Sequence, residues 1–348
     1  MTRVKVSVLA MVASLAMAAP ASAQSIVGLD VLRTWNLVVL GDLTSSSEVE
    51  GRTFVGGNLN GSSSNYQIRT PEPSPYNVTG LTVVGDVNGS HKNLNGGSGA
   101  VVGGNVNSGF NLNGAPQTVK VGGTIANTNV NQNTVTSGLA ASDPSFLVNL
   151  KQQGSLIASS MGELSRTFGG MASNSNLTIS GNRGTFDAKP DAQGVAVFNI
   201  SSTDLDRIGE IKFNLNGADT AIVNVTGANV TLNDNFLGGT TGLGKHVIWN
   251  LVDAQKVDAT TAWGGSVLAP GAAATTGNYI EGSAVFGSLV QNGEFHLGTY
   301  VGTYNPPVGP PPVDGGGSPT PIPGEAAGLF ALGAIGLWMM RRRRPAAA

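Results

Sequence analysis

The sequence predicts a mainly β protein, a right-handed parallel β-helix with one long α-helix packed along its side. Three observations carry that expectation. A short phrase recurs in which two β-branched or aromatic residues precede glycine, a small polar residue and one more aliphatic. The chain of 348 residues holds 50 glycines and no cysteine, with only 11% charged residues. One stretch alone has apolar residues at the three- and four-residue spacing of a helix.

The phrase reads TFVGGNLNG at 53 to 61, VVGDVNG at 83 to 89 and VVGGNVN at 101 to 107. Lined up on the first glycine of each copy, the series is Gly41, Gly56, Gly85, Gly103 and Gly122, at intervals of 15, 29, 18 and 19 residues. This alignment makes Val55, Val84 and Val102 equivalent inward residues. The long interval contains RTPEPSPYN, Arg69 to Asn77, a proline-rich loop that accounts for the excess over one winding. Self-similarity at such a period marks a solenoid, whose units bury their apolar side only by stacking. Val and Phe favour strands, while Gly and Asn tolerate the conformations needed at corners. Equivalent strands of stacked windings lie about 4.8 Å apart, so interior strands find hydrogen-bond partners above and below. An antiparallel sandwich would instead show two-residue hairpin loops between alternating strands.

From Asp143 to Phe168 the residues Leu147, Leu150, Ile157, Met161, Leu164 and Phe168 form one apolar stripe, with Gly154 in the missing place. Asp143 is a good N-cap and Pro144 suits the first helical position, which predicts an amphipathic helix over 143–168. Its stripe needs a wall to lie on, and Gly154 is expected to let the two backbones approach. Strand phrases then resume, among them VAVFNIS, TAIVNVTG, HVIWNLV and SAVFGSLV. The chain is expected to begin a coil, leave for the helix and return to complete the coil, as one domain over 24–304.

Both ends carry export features. Residues 1–23 open with Arg3 and Lys5, continue through an apolar run and close on Ala21-Ser22-Ala23 before Gln24, the pattern of a cleaved signal peptide. Residues 305–323 are rich in Pro and Gly and form an extended linker. In 324–348, an apolar run from Ala326 to Met340 precedes Arg341, Arg342, Arg343 and Arg344. Fifteen apolar residues are marginal for a hydrocarbon core of about 30 Å, and the arginines hold their end in the cytoplasm. This tail resembles the PEP-CTERM class of bacterial sorting signals, which membrane enzymes called exosortases process. The Pro-Glu-Pro of that class is replaced by Pro321-Ile322-Pro323-Gly324-Glu325. The resemblance implies an exosortase-like processing partner and contact with the membrane through the C-terminal segment.

Without Arg3, Lys5, Glu325 and Arg341 to Arg344, 13 of the 19 basic and 20 of the 21 acidic side chains remain, a net charge of −7. No run of Lys or Arg offers phosphates a track, which argues against nucleic acid as a partner. An exported chain without disulfides depends on its core and on repeated backbone hydrogen bonding.

Few residues specify chemistry. GGTTGLGKH at 238 to 246 nearly spells a phosphate loop, but His246 stands where Ser or Thr is needed and a strand pattern follows, so a glycine-rich turn is expected. The histidines are His91, His246 and His296. Glu294 and His296 share one side of a strand, the geometry of two metal ligands, with His246 having to come from another winding. Asp204 and Asp206 in STDLDRIGE are expected to cap a turn. No metalloprotease, serine-hydrolase or calcium-loop motif occurs. The expectation is a non-catalytic protein without cofactor or metal; a carbohydrate-active β-helix enzyme is the less favoured alternative.

NLVVLGDLTSSSEVEGRTFVGGNL (36 to 59) and WGGSVLAPGAAATTGNYIEGSAVFGSLVQNGEFH (263 to 296) resemble the choice-of-anchor A family of bacterial surface proteins. The resemblance implies an extracellular adhesive domain without catalytic residues, collagen-binding in some Gram-positive relatives. The WGGSVLAPGA phrase is also similar to the last windings of the bacterial ice-binding β-helix fold, which likewise has a helix along its side. Thr124, Thr128, Thr134 and Thr136 form a local cluster in sequence, and ice binding is the runner-up reading. The leading expectation is an adhesin-like or matrix structural protein at the bacterial envelope or in a biofilm, with an extracellular polysaccharide or matrix protein as partner.

Overall fold

Residues that the sequence repeats stack directly on one another. The computed structural model describes residues 25–306. These belong to the first of two units, Met1–Pro306 and Pro307–Ala348, and the second lies outside the described residues. So do Ala21, Ala23, Gln24, Pro321, Pro323, Glu325 and Arg341 to Arg344.

A 15-stranded sheet supplies two walls, and sheets of seven and four strands supply a third. The first wall runs, in spatial order, Thr134–Thr136, Thr118–Val121, Ala100–Val102, Leu81–Val83, Thr53–Val55, Leu37–Val39, Ala284–Gln291, Ser266–Thr276, Val247–Leu251, Thr220–Thr226 and Val195–Ser201. Each pair along it is parallel. The protein is thus mainly β, with large parallel sheets compatible with a solenoid.

Each winding of the N-terminal run sends one large side chain inward from each wall. The sets are Val39, Leu43 and Val49; Val55, Leu59 and Tyr66; Val83, Val87 and Leu94; and Val102, Val106 and Phe110, all in one core. Full burial of such a side chain is worth about 1.5–3 kcal/mol over exposure, which is why the phrase keeps an aliphatic residue on both sides of its glycine.

The pairing corrects the alignment on first glycines. Val55 and Val102 stack on Val83, not on Val84. Gly41, Gly57, Gly85, Gly104 and Gly123 form one column, in which each N–H after the first donates to the glycine carbonyl before it, at 2.8, 2.9, 3.0 and 2.9 Å. The intervals become 16, 28, 19 and 19 residues. Where the phrase holds two glycines, the second is the equivalent one; the first occupies the place of Leu40 and Val84. A Cβ on Gly122 would overlap the Gly103 carbonyl oxygen.

The small polar residue of the phrase has a structural task. Oδ1 of Asp42, Asn58, Asp86 and Asn105 accepts the backbone N–H of its equivalent one winding on, at 2.7, 2.9, 2.6 and 2.9 Å. Stacked turns leave these N–H groups without a backbone partner, and each bond supplied by a side chain instead contributes about 0.5–1.5 kcal/mol.

The chain enters the coil in its middle. Leu37–Val39 pairs with Thr53–Val55 on one side and with Ala284–Phe286 on the other. The N-terminal run therefore ends at one extremity with Thr134–Thr136, and the C-terminal run must begin at the other with Val195–Ser201. The helix Pro144–Gly169 crosses between them; its 26 residues reach ~39 Å, about eight strand spacings. Asp143 caps it, accepting from the Ser145 N–H at 3.0 Å, and Pro144 stands in the first turn. Leu150, Ile157, Met161, Leu164 and Phe168 are buried on it, and four of them (all but Leu150) share a second core with Val38, Phe54, Ile222, Ile248, Leu268 and Val285. At its far extremity, strand Asn176–Ser180 pairs antiparallel with Arg183–Asp187, a departure from parallel winding.

Gly154 does not serve close approach. An added Cβ there would meet Val84 and Phe54 at 3.5 and 3.7 Å, ordinary contact distances. Gly154→Ala is accordingly expected to raise stability by up to about 1 kcal/mol, through helix propensity. Gly122→Ala is expected to lower it by more than about 2 kcal/mol, because backbone must shift. Urea denaturation of both variants checks the contrast; equal effects of one sign would refute it.

Candidate functional site

Side chains that the stacking aligns on the outer surface form amide ladders. On the second wall Asn88 Nδ2 donates to Asn60 Oδ1 at 3.0 Å, and Asn107 Nδ2 to Asn88 Oδ1 at 2.8 Å. On the third wall Asn111 Nδ2 donates to Asn93 Oδ1 at 2.7 Å and Asn113 Nδ2 to Asn95 Oδ1 at 3.2 Å. Asn65 Nδ2 extends this wall to Glu48 Oε1 at 3.0 Å. Within a ladder an amide gives one N–H, one lone pair or both to its neighbours, and each keeps at least one lone pair for an outside partner. The result is a row of fixed amides at about 4.8 Å spacing, suited to many weak hydrogen bonds with a flat, hydroxyl-rich surface.

Towards the C-terminal windings the same walls become charged. Lys256 pairs with Asp258 at 2.7 Å on the second wall. On the third wall His296 Nε2 lies 2.8 Å from Glu294 Oε2, and the His296 ring stacks on Tyr279 with centroids 4.2 Å apart. Glu281 accepts from Thr240 Oγ1 at 2.7 Å.

The residues singled out in the sequence fall in different places. Glu294 and His296 do meet, whereas His246 bonds the Asp219 carbonyl and His91 the Asn127 carbonyl, each at 2.9 Å. Among the described residues no group of three or more His, Asp or Glu could hold a metal ion. Gly239 and Lys245 belong to a turn in which Gly238, Gly239 and Gly242 have positive φ and a short 3-10 segment Leu243–Lys245 leads into strand Val247–Leu251. Asp204 forms a capping box with Ser201 at the short helix Ser202–Asp206. The four threonines make no array. Thr124 Oγ1 bonds Asn105 Oδ1 below the second wall, Thr128 accepts the Phe110 N–H, and Thr134 and Thr136 lie on the last strand of the first wall.

Three features had little or no sequence signal. Lys92 is fully buried, and its Nζ donates to the Gly61 and Ser62 carbonyls at 3.1 and 2.6 Å, while burial pulls its pKa down to about 8. Asn199, Asn224 and Asn250 stand in register on adjacent strands; Asn224 and Asn250 bond the helix and Asn199 the Met171 carbonyl just after it, and the recurring Asn in VAVFNIS, TAIVNVT and HVIWNLV was their signal. Asp234 is closed to solvent, and neither carboxylate oxygen has a partner.

Burial, helped by the Asp206 charge, pushes the Asp234 pKa from 3.8 up to about 7. The sign follows: the fold disfavours the charged form, so stability is intact below pH 3.8, falls between pH 3.8 and about 7, and stays low above. Asp234→Asn is expected to abolish that fall and to be more stable than the native chain at pH 8 by about 2 kcal/mol, roughly half the full linkage value because the new amide is itself buried without a partner. Melting temperatures from pH 4 to 8 check this; parallel curves for the two proteins would contradict it.

Parallel β walls with a helix at one side and amide ladders on the others make a protein of extended polar surfaces. The chain belongs to the family described as "Putative Ice-binding-like adhesive domain", whose model matches residues 28–297. That family supports an adhesin-like or ice-binding-type role, and an adhesive domain points to a cell-surface or extracellular protein. No curated protein and no solved structure matches the chain. Among the described residues no helix is long and apolar enough to cross a membrane, and the apolar run from Ala326 to Met340 lies outside them.

Proposed function

We propose that this chain is an exported, envelope-displayed adhesive protein without catalytic activity, a right-handed β-helix that holds an extracellular polysaccharide or matrix protein through its amide ladders. The observation that carries the reading is the Asn60, Asn88 and Asn107 row, fixed side chain to side chain along an outer wall. A row of pre-aligned amides loses little conformational entropy on binding, so modest bonds add up without a deep pocket. The choice-of-anchor A resemblance and the PEP-CTERM-like tail supply display: export by 1–23, then processing at the tail by an exosortase-like enzyme or retention in the membrane.

Adhesion is preferred to ice binding because charged groups, Lys256 and Asp258, stand in the same wall, and ice offers no counter-charge. The experiment has two parts. Deletion of residues 305–348 is expected to move the protein from envelope to medium. Asn88→Ala with Asn107→Ala is expected to weaken retention on the producing cell's own extracellular polymer at least about fivefold. Undiminished retention, or inhibition of ice recrystallisation by the native chain alone, would end the adhesive reading.

A further inference from the structure

One concave site lies away from the ladders, between the N-terminal half of the long helix and the proline-rich loop. Its volume is about 750 Å³, within the range of small-ligand sites. Phe146, Asn149, Gln152 and Gln153 of the helix face Tyr76 and Asn77 of the loop across it. No Lys, Arg, Asp or Glu is among the residues that line it.

The loop is the one large insertion in the described N-terminal windings, 28 residues between equivalent glycines where its neighbours need 16 and 19. It is pinned at three points. Arg69 pairs with Glu50 at 2.7 Å, Arg52 donates to the Glu72 carbonyl at 3.0 Å, and the Tyr76 hydroxyl donates to Asp30 Oδ2 at 2.6 Å. Asp30 is itself held by Arg33 at 2.9 Å. The hydroxyl is thus engaged outside the cleft wall, which sets the ring in place for a ligand. Among the described residues, no hydrogen bond occupies the side-chain amides of Asn77, Asn149, Gln152 or Gln153.

We infer that this cleft is a binding site for a neutral oligosaccharide, separate from the ladder surface and independent of the adhesive reading. The juxtaposition is four unengaged amides with two aromatic rings in a charge-free cleft. An amide presents a donor and an acceptor side by side, which matches vicinal hydroxyls. An aromatic ring accepts the C–H face of a sugar while its edge remains polar. With no charged side chain among the described residues that line it, phosphate, uronate and cations lack a partner. A peptide is disfavoured as well, since a helix face and a proline loop offer it no strand edge to extend.

The full chain is titrated by calorimetry with cellotetraose, maltotetraose, mannotetraose and chitotetraose, beside tetragalacturonate and tetra-alanine. At least one neutral tetrasaccharide is expected to bind with Kd tighter than ~5 mM. Asn149→Ala with Gln152→Ala is expected to weaken it about tenfold or more; both sites are on the helix, where alanine favours folding. Asn88→Ala on the ladder is expected to leave that affinity unchanged, so the two surfaces fail or succeed separately. The inference is overturned if no neutral probe binds, if only the uronate or the peptide binds, or if the helix variant binds as well as the native chain.

Discussion

Trp249→Ala is expected to destabilise the protein by about 3–5 kcal/mol, the usual cost of emptying a large buried aromatic site. Trp249 is fully buried in the core between the three walls and stands at the centre of an aromatic cluster. Its ring meets Phe186 at 5.4 Å, Phe213 at 6.2 Å, Phe236 at 6.4 Å and Trp263 at 4.9 Å, each edge to face. Such pairs add roughly 0.5–1.5 kcal/mol beyond the area they bury. Nε1 also donates to the Gly264 carbonyl at 2.9 Å, which would lose its partner. Phe186, Phe213 and Phe236 belong to the four-stranded sheet, and Trp249 to the first wall. Truncation therefore loosens the two walls of the C-terminal windings together. Equilibrium denaturation measures the loss, and a cost below about 1 kcal/mol would show that the cluster contributes little.

Asn250→Leu is expected to cost about 2–4 kcal/mol although it makes the core more apolar. Asn250 Nδ2 donates to the Ser165 carbonyl at 2.9 Å and to Asn224 Oδ1 at 2.8 Å, while its Oδ1 accepts from Ser165 Oγ at 2.7 Å. Asn224 continues the chain to the Phe168 carbonyl at 2.7 Å and to Asn199 Oδ1 at 2.9 Å, and Asn199 reaches the Met171 carbonyl at 3.0 Å. These bonds reach the Ser165 and Phe168 carbonyls in the last turns of the helix and the Met171 carbonyl just beyond it. Leucine would strand Ser165 Oγ and Asn224 Oδ1 in a dry interface, and a partly satisfied network is worse than none. Faster proteolysis between the helix and strand Asn176–Ser180 is expected to accompany the loss of stability. A variant at least as stable as the native chain, with unchanged proteolysis, would show that packing alone holds the helix.

Much of the architecture was legible because its causes are local. The helix boundaries followed from Asp143, Pro144 and the spacing of Leu150, Ile157, Met161, Leu164 and Phe168. The stacking of the repeated phrase followed from its valines and glycines. Register was not legible to the residue: single and double glycines look alike when copies are aligned by eye, and the slip placed Val84 where Val83 belongs. The threonines of residues 124–136 looked like a cluster because they are close in sequence, yet each corner of the coil turns a neighbour onto another wall. The cleft was not legible at all, since its two sides lie some 70 residues apart and meet only because the helix passes the inserted loop.

Composition and period determined by themselves that this chain stacks parallel strands without disulfides and returns along a helix. Those outcomes rest on propensities, spacing and backbone hydrogen bonding, which act within a few residues or repeat identically from one winding to the next. Tertiary structure alone decided that the first winding docks on the last, Leu37 beside Ala284, that three asparagines clamp the helix, and which outer side chains share a surface. Those outcomes depend on which distant segments share a wall, and no local preference encodes the distance between them.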